Sequence, residues 1–333
     1  KWAEELEPKL RSSDQGRWLR RLEVDHDNVR AALEWSRARG DILEEFRLVV
    51  ALSRFWDTHG HLREGRVRLE AALSRTNNDL PFRLQGQALC HAAWMARIED
   101  DTAAARTHYG RALDIFREHG ARIDIADALN QLGMVAAEEG DFQTARALYE
   151  EALALCEDVG GSARLGAVLN NLGALSLRLG DFDAARRYLE QSAAWCESNG
   201  DEQLHGLVLH DLSAADLRQA RYPEAQAHGT RSLRLLYGCG AVVNIPAALD
   251  QMALVSRAQN RWERATLLLG AAEGVRDAAG VPLPRDIALD RADAAAEAKR
   301  ALGSDAFAAA FAEGQRMSLD ESIAYACGPM HVS

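Results

Sequence analysis

The sequence predicts an all-α solenoid, a stack of antiparallel helix pairs, and three observations predict it. The first is a 40-residue period. Gly140-Asp141-Phe142 and Gly180-Asp181-Phe182 are one interval apart, and the same step finds Asp100-Asp101-Thr102 and Gly60-His61-Leu62 upstream, and Ala220-Arg221-Tyr222 and Asn260-Arg261-Trp262 downstream. The second is punctuation. Glycine closes five of the six units, at Gly120, Gly160, Gly200, Gly240 and Gly280, with Gly40 in phase, as suits a left-handed helix stop. The third is composition: 47% of the 333 residues are hydrophobic, 6% are aromatic and 7 are proline, a balance that favours helix over sheet.

Taken in order, residues 17–39 read as one helix with apolar positions at Trp18, Leu22, Val29, Ala32, Leu33 and Trp35, the second half of an incomplete repeat packing on a helix over 41–58. Six helix pairs follow over 41–280. In one of them the spacing predicts helices over 123–139 and 142–158, joined by a turn short enough to make them antiparallel. Small residues recur at Gly65, Ala105, Ala145, Ala185, Ala225 and Ala265, and again at Ala72, Ala112, Ala152, Ser192, Ser232 and Ala272. Larger ones line Leu52, Leu132, Leu172, Leu212 and Met252, with Ala92 in the same column. Small columns let backbones approach, and large columns fill the gaps. A single pair cannot bury its apolar face, whereas a stack can. Beyond residue 280 the period breaks. Val281-Pro282-Leu283-Pro284 forces an extended link. Helices over 285–302, 304–315 and 318–327 then cap the last repeat, and Ser318 with Glu321 fits a capping box. Gly328 to Ser333 reads as a loose tail. The organisation expected is thus a half-repeat over 1–40, six repeats over 41–280 and a cap over 281–333.

Charge and motifs narrow the function classes. A formal net charge of −11 argues against direct nucleic-acid binding, which needs a basic footprint. Five cysteines, Cys90, Cys156, Cys196, Cys239 and Cys327, form no CxxC pair and read as free, buried, small apolar residues of a reducing cytoplasm. No apolar run is long enough for a bilayer, and no signal peptide is visible. The first residue is Lys1, so the chain reads as cut from something longer. There is no phosphate loop, no Gly-x-Ser-x-Gly elbow and no HExxH helix, so neither catalysis nor a cofactor is expected. His59 and His61 share a turn and His26 has acidic neighbours. A metal site is conceivable there, but no further ligand stands at a fixed spacing, so these read as solvated loop histidines. Glu138-Glu139 and Asp100-Asp101 read as solvated carboxylates at helix ends, and Trp56, Trp94, Trp195 and Trp262 mostly as core wedges.

At the level of residues the repeat resembles the tetratricopeptide family. That family's Leu-Gly pair is matched by Leu132-Gly133 and Leu172-Gly173, its following small residue by Ala145 and Ala185, its aromatic by Tyr149 with Leu189 as substitute, and its next Ala by Ala152 with Ser192 as substitute. The period of 40 instead of 34 and the missing terminal proline depart from the pattern. The resemblance covers about residues 41–280 and implies a right-handed superhelix whose first helices line the inner surface. A second resemblance rests on Trp18-Leu19-Arg20-Arg21-Leu22-Glu23-Val24-Asp25-His26-Asp27-Asn28-Val29-Arg30-Ala31-Ala32-Leu33-Glu34-Trp35, on Leu268-Leu269-Gly270-Ala271-Ala272-Glu273 and on Met317-Ser318-Leu319-Asp320-Glu321-Ser322-Ile323. These segments resemble the repeat region of large bacterial signal-transduction ATPases with LuxR-type output. That implies the sensor arm of a transcriptional activator, with the ATPase and DNA-binding modules elsewhere in the polypeptide.

Placing the family's inner-face positions on this chain gives Cys90, Asn130, Asn170, His210 and Asp250, with His91, Gln131, Asn171, Asp211 and Gln251 beside them and Arg97, Arg178, Arg218 and Arg257 a turn later. Polar groups inside apolar helices cost stability unless water, one another or a ligand satisfies them. A hydrated wall, a peptide clamp in which Asn grips backbone and Arg a carboxylate, and a small-molecule pocket all fit this pattern. The expected partner is a protein, peptide or small effector. An adaptor that only bridges proteins is the alternative.

Overall fold

A computed structural model describes residues 15–58, 61–76, 80–160, 164–283 and 285–328, and among them every regular element is helical. The chain divides into two compact units, Lys1–Arg164 and Leu165–Ser333. The first holds α1 (Gln15–Val24), α2 (His26–Arg39), α3 (Ile42–Thr58), α4 (Leu62–Leu73), α5 (Phe82–Ile98), α6 (Thr102–Glu118), α7 (Arg122–Glu138) and α8 (Phe142–Asp158). The second holds α9 (Leu165–Arg178), α10 (Phe182–Asn199), α11 (Glu202–Arg218), α12 (Tyr222–Gly238), a 3-10 turn (Val242–Asn244), α13 (Ile245–Ala258), α14 (Trp262–Ala279), α15 (Arg285–Leu302), α16 (Ser304–Arg316) and α17 (Leu319–Cys327).

Local chemistry explains where the pairs start and stop. Asp101, Asp141 and Asp181 each accept a hydrogen bond at 3.1 Å from the backbone N–H three residues on, so each caps the second helix of its pair. Each preceding turn places one residue in the left-handed region. Gly140 (φ 82°) and Gly180 (φ 77°) take it freely, whereas Asp100 (φ 65°), Ala220 (φ 56°) and Asn260 (φ 59°) take it at a steric cost. Six unit-closing glycines, Gly40, Gly120, Gly160, Gly200, Gly240 and Gly280, are also left-handed.

Within each unit the pairs stack through the small columns. Tyr109, Ala105, Val135 and Ala96 form one buried cluster, and Leu189, Cys196, Val208 and Leu212 another. Gly133 lies against the Tyr149 ring, where an added Cβ would come within 2.5 Å of it, and Gly166 lies equally close to Trp195. Where serine replaces alanine in the second small column, its hydroxyl finds a carbonyl: Ser192 donates to Gly166 at 2.8 Å and Ser232 to Gly206 at 2.6 Å. Trp56 is fully buried.

The ends bring corrections. The single helix expected over 17–39 is two helices, broken at Asp25, whose carboxylate accepts from Arg21 at 2.8 Å and from Asn28 at 3.4 Å. Trp35 is not a packing residue: it is 59% exposed and stacks under the Arg39 guanidinium. Cys239 is exposed, not buried. The capping box at Ser318 and Glu321 is present. His59 and residues 329–333 lie outside the described residues.

Candidate functional site

In the second unit, the first helices of successive pairs, α9, α11 and α13, pack side by side. Each carries a polar pair at the same register: Asn170-Asn171, His210-Asp211 and Asp250-Gln251. Leu169, Leu172, Leu209, Leu212, Leu249 and Met252 flank these pairs and are buried. The apolar flanks fix the rotation of each helix, and the polar pair emerges on the wall.

The three pairs do not share one fate. Asp250 is a correction. It is 2% exposed and is held by Arg276 from α14, at 2.5 Å, and by Arg291 from α15. Arg291 also donates to the Leu269 carbonyl at 2.9 Å and to Glu273 at 2.7 Å. Gln251 is buried and donates to Ser213 at 3.4 Å. Two expected arginines are likewise engaged by α15: Arg257 binds Glu297 through two bonds, of 2.7 and 3.0 Å, and Arg218 pairs with Asp290 at 3.0 Å. α15, which lies past the last 40-residue interval of the sequence, thus occupies the α13 end of this wall. Arg291, Glu297 and Asp290 were missed because the 40-residue register carries no information about a segment outside it.

The polar pairs of α9 and α11 are not engaged by α15 in this way. The Asn170 side-chain carbonyl is buried and has no hydrogen-bond partner among the described residues. Asn171 and Arg178 each have partners of their own. His210 and Asp211 are half-buried and carry no hydrogen bond or ion pair among the described residues. Burial pushes the His210 imidazole down to about 4 and the Asp211 carboxyl up to about 7, the latter opposed by Arg178.

These shifts have opposite consequences. Between about pH 4 and 7 the folded chain keeps the Asp211 proton that the unfolded chain has released, so stability falls as pH rises through that window. Between about pH 6.5 and 4 the unfolded chain takes up a proton at His210 that the folded chain refuses, so stability falls as pH drops there. Asp211→Asn is therefore expected to stabilise the chain by about 2 kcal/mol at pH 8, after discounting for partial solvent access, and hardly at all at pH 4. Urea denaturation at the two pH values checks this. An equal gain at both would rule out burial of the charge as the cause.

In the first unit the same register holds Cys90, half-buried, its thiol pushed up by burial, and Asn130, buried and partnered. Gln131 and His91 are half-buried, and His91 has a partner. Arg97 pairs with Glu138 at 2.6 Å. Asp127, not singled out from the sequence, pairs with Arg164 at 3.2 Å, and its charge acts on the Cys90 thiol. The histidines of the first turn also depart from expectation. His26 is 7% exposed, and its ring centroid lies 4.4 Å from that of His61.

Comparison with known proteins gives three findings. A tetratricopeptide repeat family model matches residues 84–158, 124–194 and 164–237, and successive matches start 40 residues apart. HTH-type transcriptional regulators of Mycobacterium bovis and Mycobacterium tuberculosis are 43% identical over 53 residues. That stretch is 16% of this chain, and the match spans 6% of the length of those relatives. Among solved structures, a Rap protein complexed with competence and sporulation factor aligns with a TM-score of 0.57 at 14% identity, over 97% of this chain and 96% of that one. A Signal Transduction ATPase with Numerous Domains from Pyrococcus horikoshii, which has a tetratricopeptide repeat sensor, aligns with a TM-score of 0.59 at 14% identity, over 84% of this chain and 44% of that one. No helix among the described residues is long and apolar enough to cross a membrane.

Proposed function

Because residues 84–237 of this chain are tetratricopeptide repeats, we propose that it is a regulatory binding module that receives a peptide or protein segment on the α9–α11 wall and signals within a larger bacterial transcription regulator. The observation that carries this reading is the group of unsatisfied polar side chains there. Among the described residues the Asn170 carbonyl and the Asp211 carboxyl have no hydrogen-bond partner, and both are acceptors set between apolar side chains. An extended peptide supplies backbone N–H donors at intervals that such acceptors can take up, and satisfying them removes a desolvation cost. The competence and sporulation factor held by the Rap protein and the repeat sensor of the signal-transduction ATPase support a binding and sensing role. The short match to transcriptional regulators supports the output.

The test is to purify the chain from a bacterial host and identify by mass spectrometry what accompanies it, beside an Asn170→Ala, His210→Ala double variant. The expected result is a peptide or protein that accompanies the parent chain and is lost from the variant, with helicity and melting temperature nearly unchanged. Equal binding per folded molecule would show that the wall is not the site. A bound metabolite in place of a peptide would overturn the ligand class and keep the wall.

A further inference from the structure

We propose that Glu23, His26 and His61 form a binding site for one divalent transition-metal ion of the zinc type. The site sits where three helix ends meet. Glu23 is on the last turn of α1, His26 is the first residue of α2, and His61 precedes α4. One ligand atom from each lies within 4.8 Å of the other two. The His61 Nε2 and a Glu23 oxygen are 3.1 Å apart. Donors around a tetrahedral zinc at roughly 2.0–2.1 Å stand about 3.4 Å from one another, so small side-chain rotations bring this trio to coordinating geometry.

Two further observations point to a ligand. The His26 Nε2 is buried and has no hydrogen-bond partner among the described residues. Glu64 approaches it at 3.3 Å, but both Glu64 oxygens are held by Arg30, at 2.8 and 2.6 Å. His61 also occupies the position at which Asp101, Asp141 and Asp181 cap their helices, yet its side chain caps nothing and turns instead toward Glu23 and His26. Phe55 walls the site, its ring centroid 5.2 Å from that of His26 and 5.5 Å from that of His61.

The donor set selects the kind of ion. The starts of α2 and α4 present the positive ends of helix dipoles, and Arg30 adds a charge beside Glu64. That positive setting opposes any dication alike, and what disfavours calcium or magnesium is a donor set with a single carboxylate, since those ions bind through clustered oxygen ligands. Two imidazole nitrogens with one carboxylate suit zinc, through directed coordination, and leave one position for water. A bound ion would tie α1, α2 and α4 together.

The test titrates zinc chloride into the chelator-treated chain by calorimetry, with magnesium and calcium chloride as comparisons. One zinc per chain is expected to bind tightly at this site. Affinity is expected to fall at least about tenfold in His61→Ala and in Glu23→Gln, and to stay unchanged in His119→Ala, whose ring stacks on Phe82 elsewhere in the unit. Proton NMR of the unmodified chain reads the site without a variant: the His26 and His61 ring signals shift on adding zinc, and chelator reverses the shift. No zinc binding, unchanged affinity in both ligand variants, or ring signals that do not move would each overturn the proposal.

Discussion

Replacing Gly314 with alanine is expected to destabilise the second unit by about 3 kcal/mol, the upper end of what overpacking a well-packed contact costs. A Cβ at Gly314 would lie 2.1 Å from the Leu267 carbonyl oxygen and 3.0 Å from the Ala271 nitrogen. Both are backbone atoms of α14, so no side chain can swing aside. The contact is reciprocal: a Cβ at Gly270 would meet the Phe311 carbonyl at 2.2 Å, and one at Gly274 the Gln315 carbonyl at 2.4 Å. α14 and α16 therefore cross backbone to backbone, and one added methyl must push them apart along their whole contact. Gly110, inside α6, provides the control. An added Cβ there meets nothing within 4 Å, so Gly110→Ala is expected to stabilise by about 0.5–1 kcal/mol through reduced chain entropy. Urea denaturation of both variants reads opposite signs from the same chemical change. If Gly314→Ala matched Gly110→Ala, the close crossing would not exist in solution.

Asp250→Ala is expected to cost about 3 kcal/mol or more, because it leaves two guanidiniums in the interior with part of their pairing gone. Arg276 is 4% exposed and Arg291 9%. Each keeps a bond to Glu273, at 3.0 and 2.7 Å, which places the cost toward the lower end of that for a fully orphaned charge. Since Arg291 belongs to α15, the loss should be local as well as global. Amide exchange is expected to quicken in α15 more than in α9 or α10. Asp250→Asn preserves the shape and one acceptor, and should cost less than alanine. Uniform exchange across the unit, or an unchanged denaturation midpoint, would show that Asp250 does not hold α15.

Much of the fold was legible because it is local and repeated. The Asp cap at position 141 and the left-handed residue before it are set by bonds within a few residues, and the same solution recurs at 101 and 181. The capping box at Ser318 and Glu321 was legible for the same reason. The break at Asp25 was not, because its apolar spacing continues through it while Arg21 and Asn28 take the carboxylate. Of the candidate site, Asn170, His210 and Asp211 stood out as polar residues in apolar helices, and the Asn170 carbonyl, His210 and Asp211 remain without hydrogen-bond partners among the described residues. Asp250 gave the identical signal and proved to be an internal anchor. Its partners come from 26 and 41 residues further along.

The sequence by itself determined the period, the helix-pair turns and the residues that had to be small, since each follows from backbone conformation or from contacts between successive units. Only the tertiary structure decided which polar groups are spent and which are left over. Whether a buried carboxylate is satisfied depends on what arrives from outside the repeat, as Arg291 does at Asp250. Whether two histidines are solvated depends on how three helix ends converge, as they do around His26 and His61. Register repeats along the chain, but charge and hydrogen bonding are settled in space, and a period carries no account of the neighbours that break it.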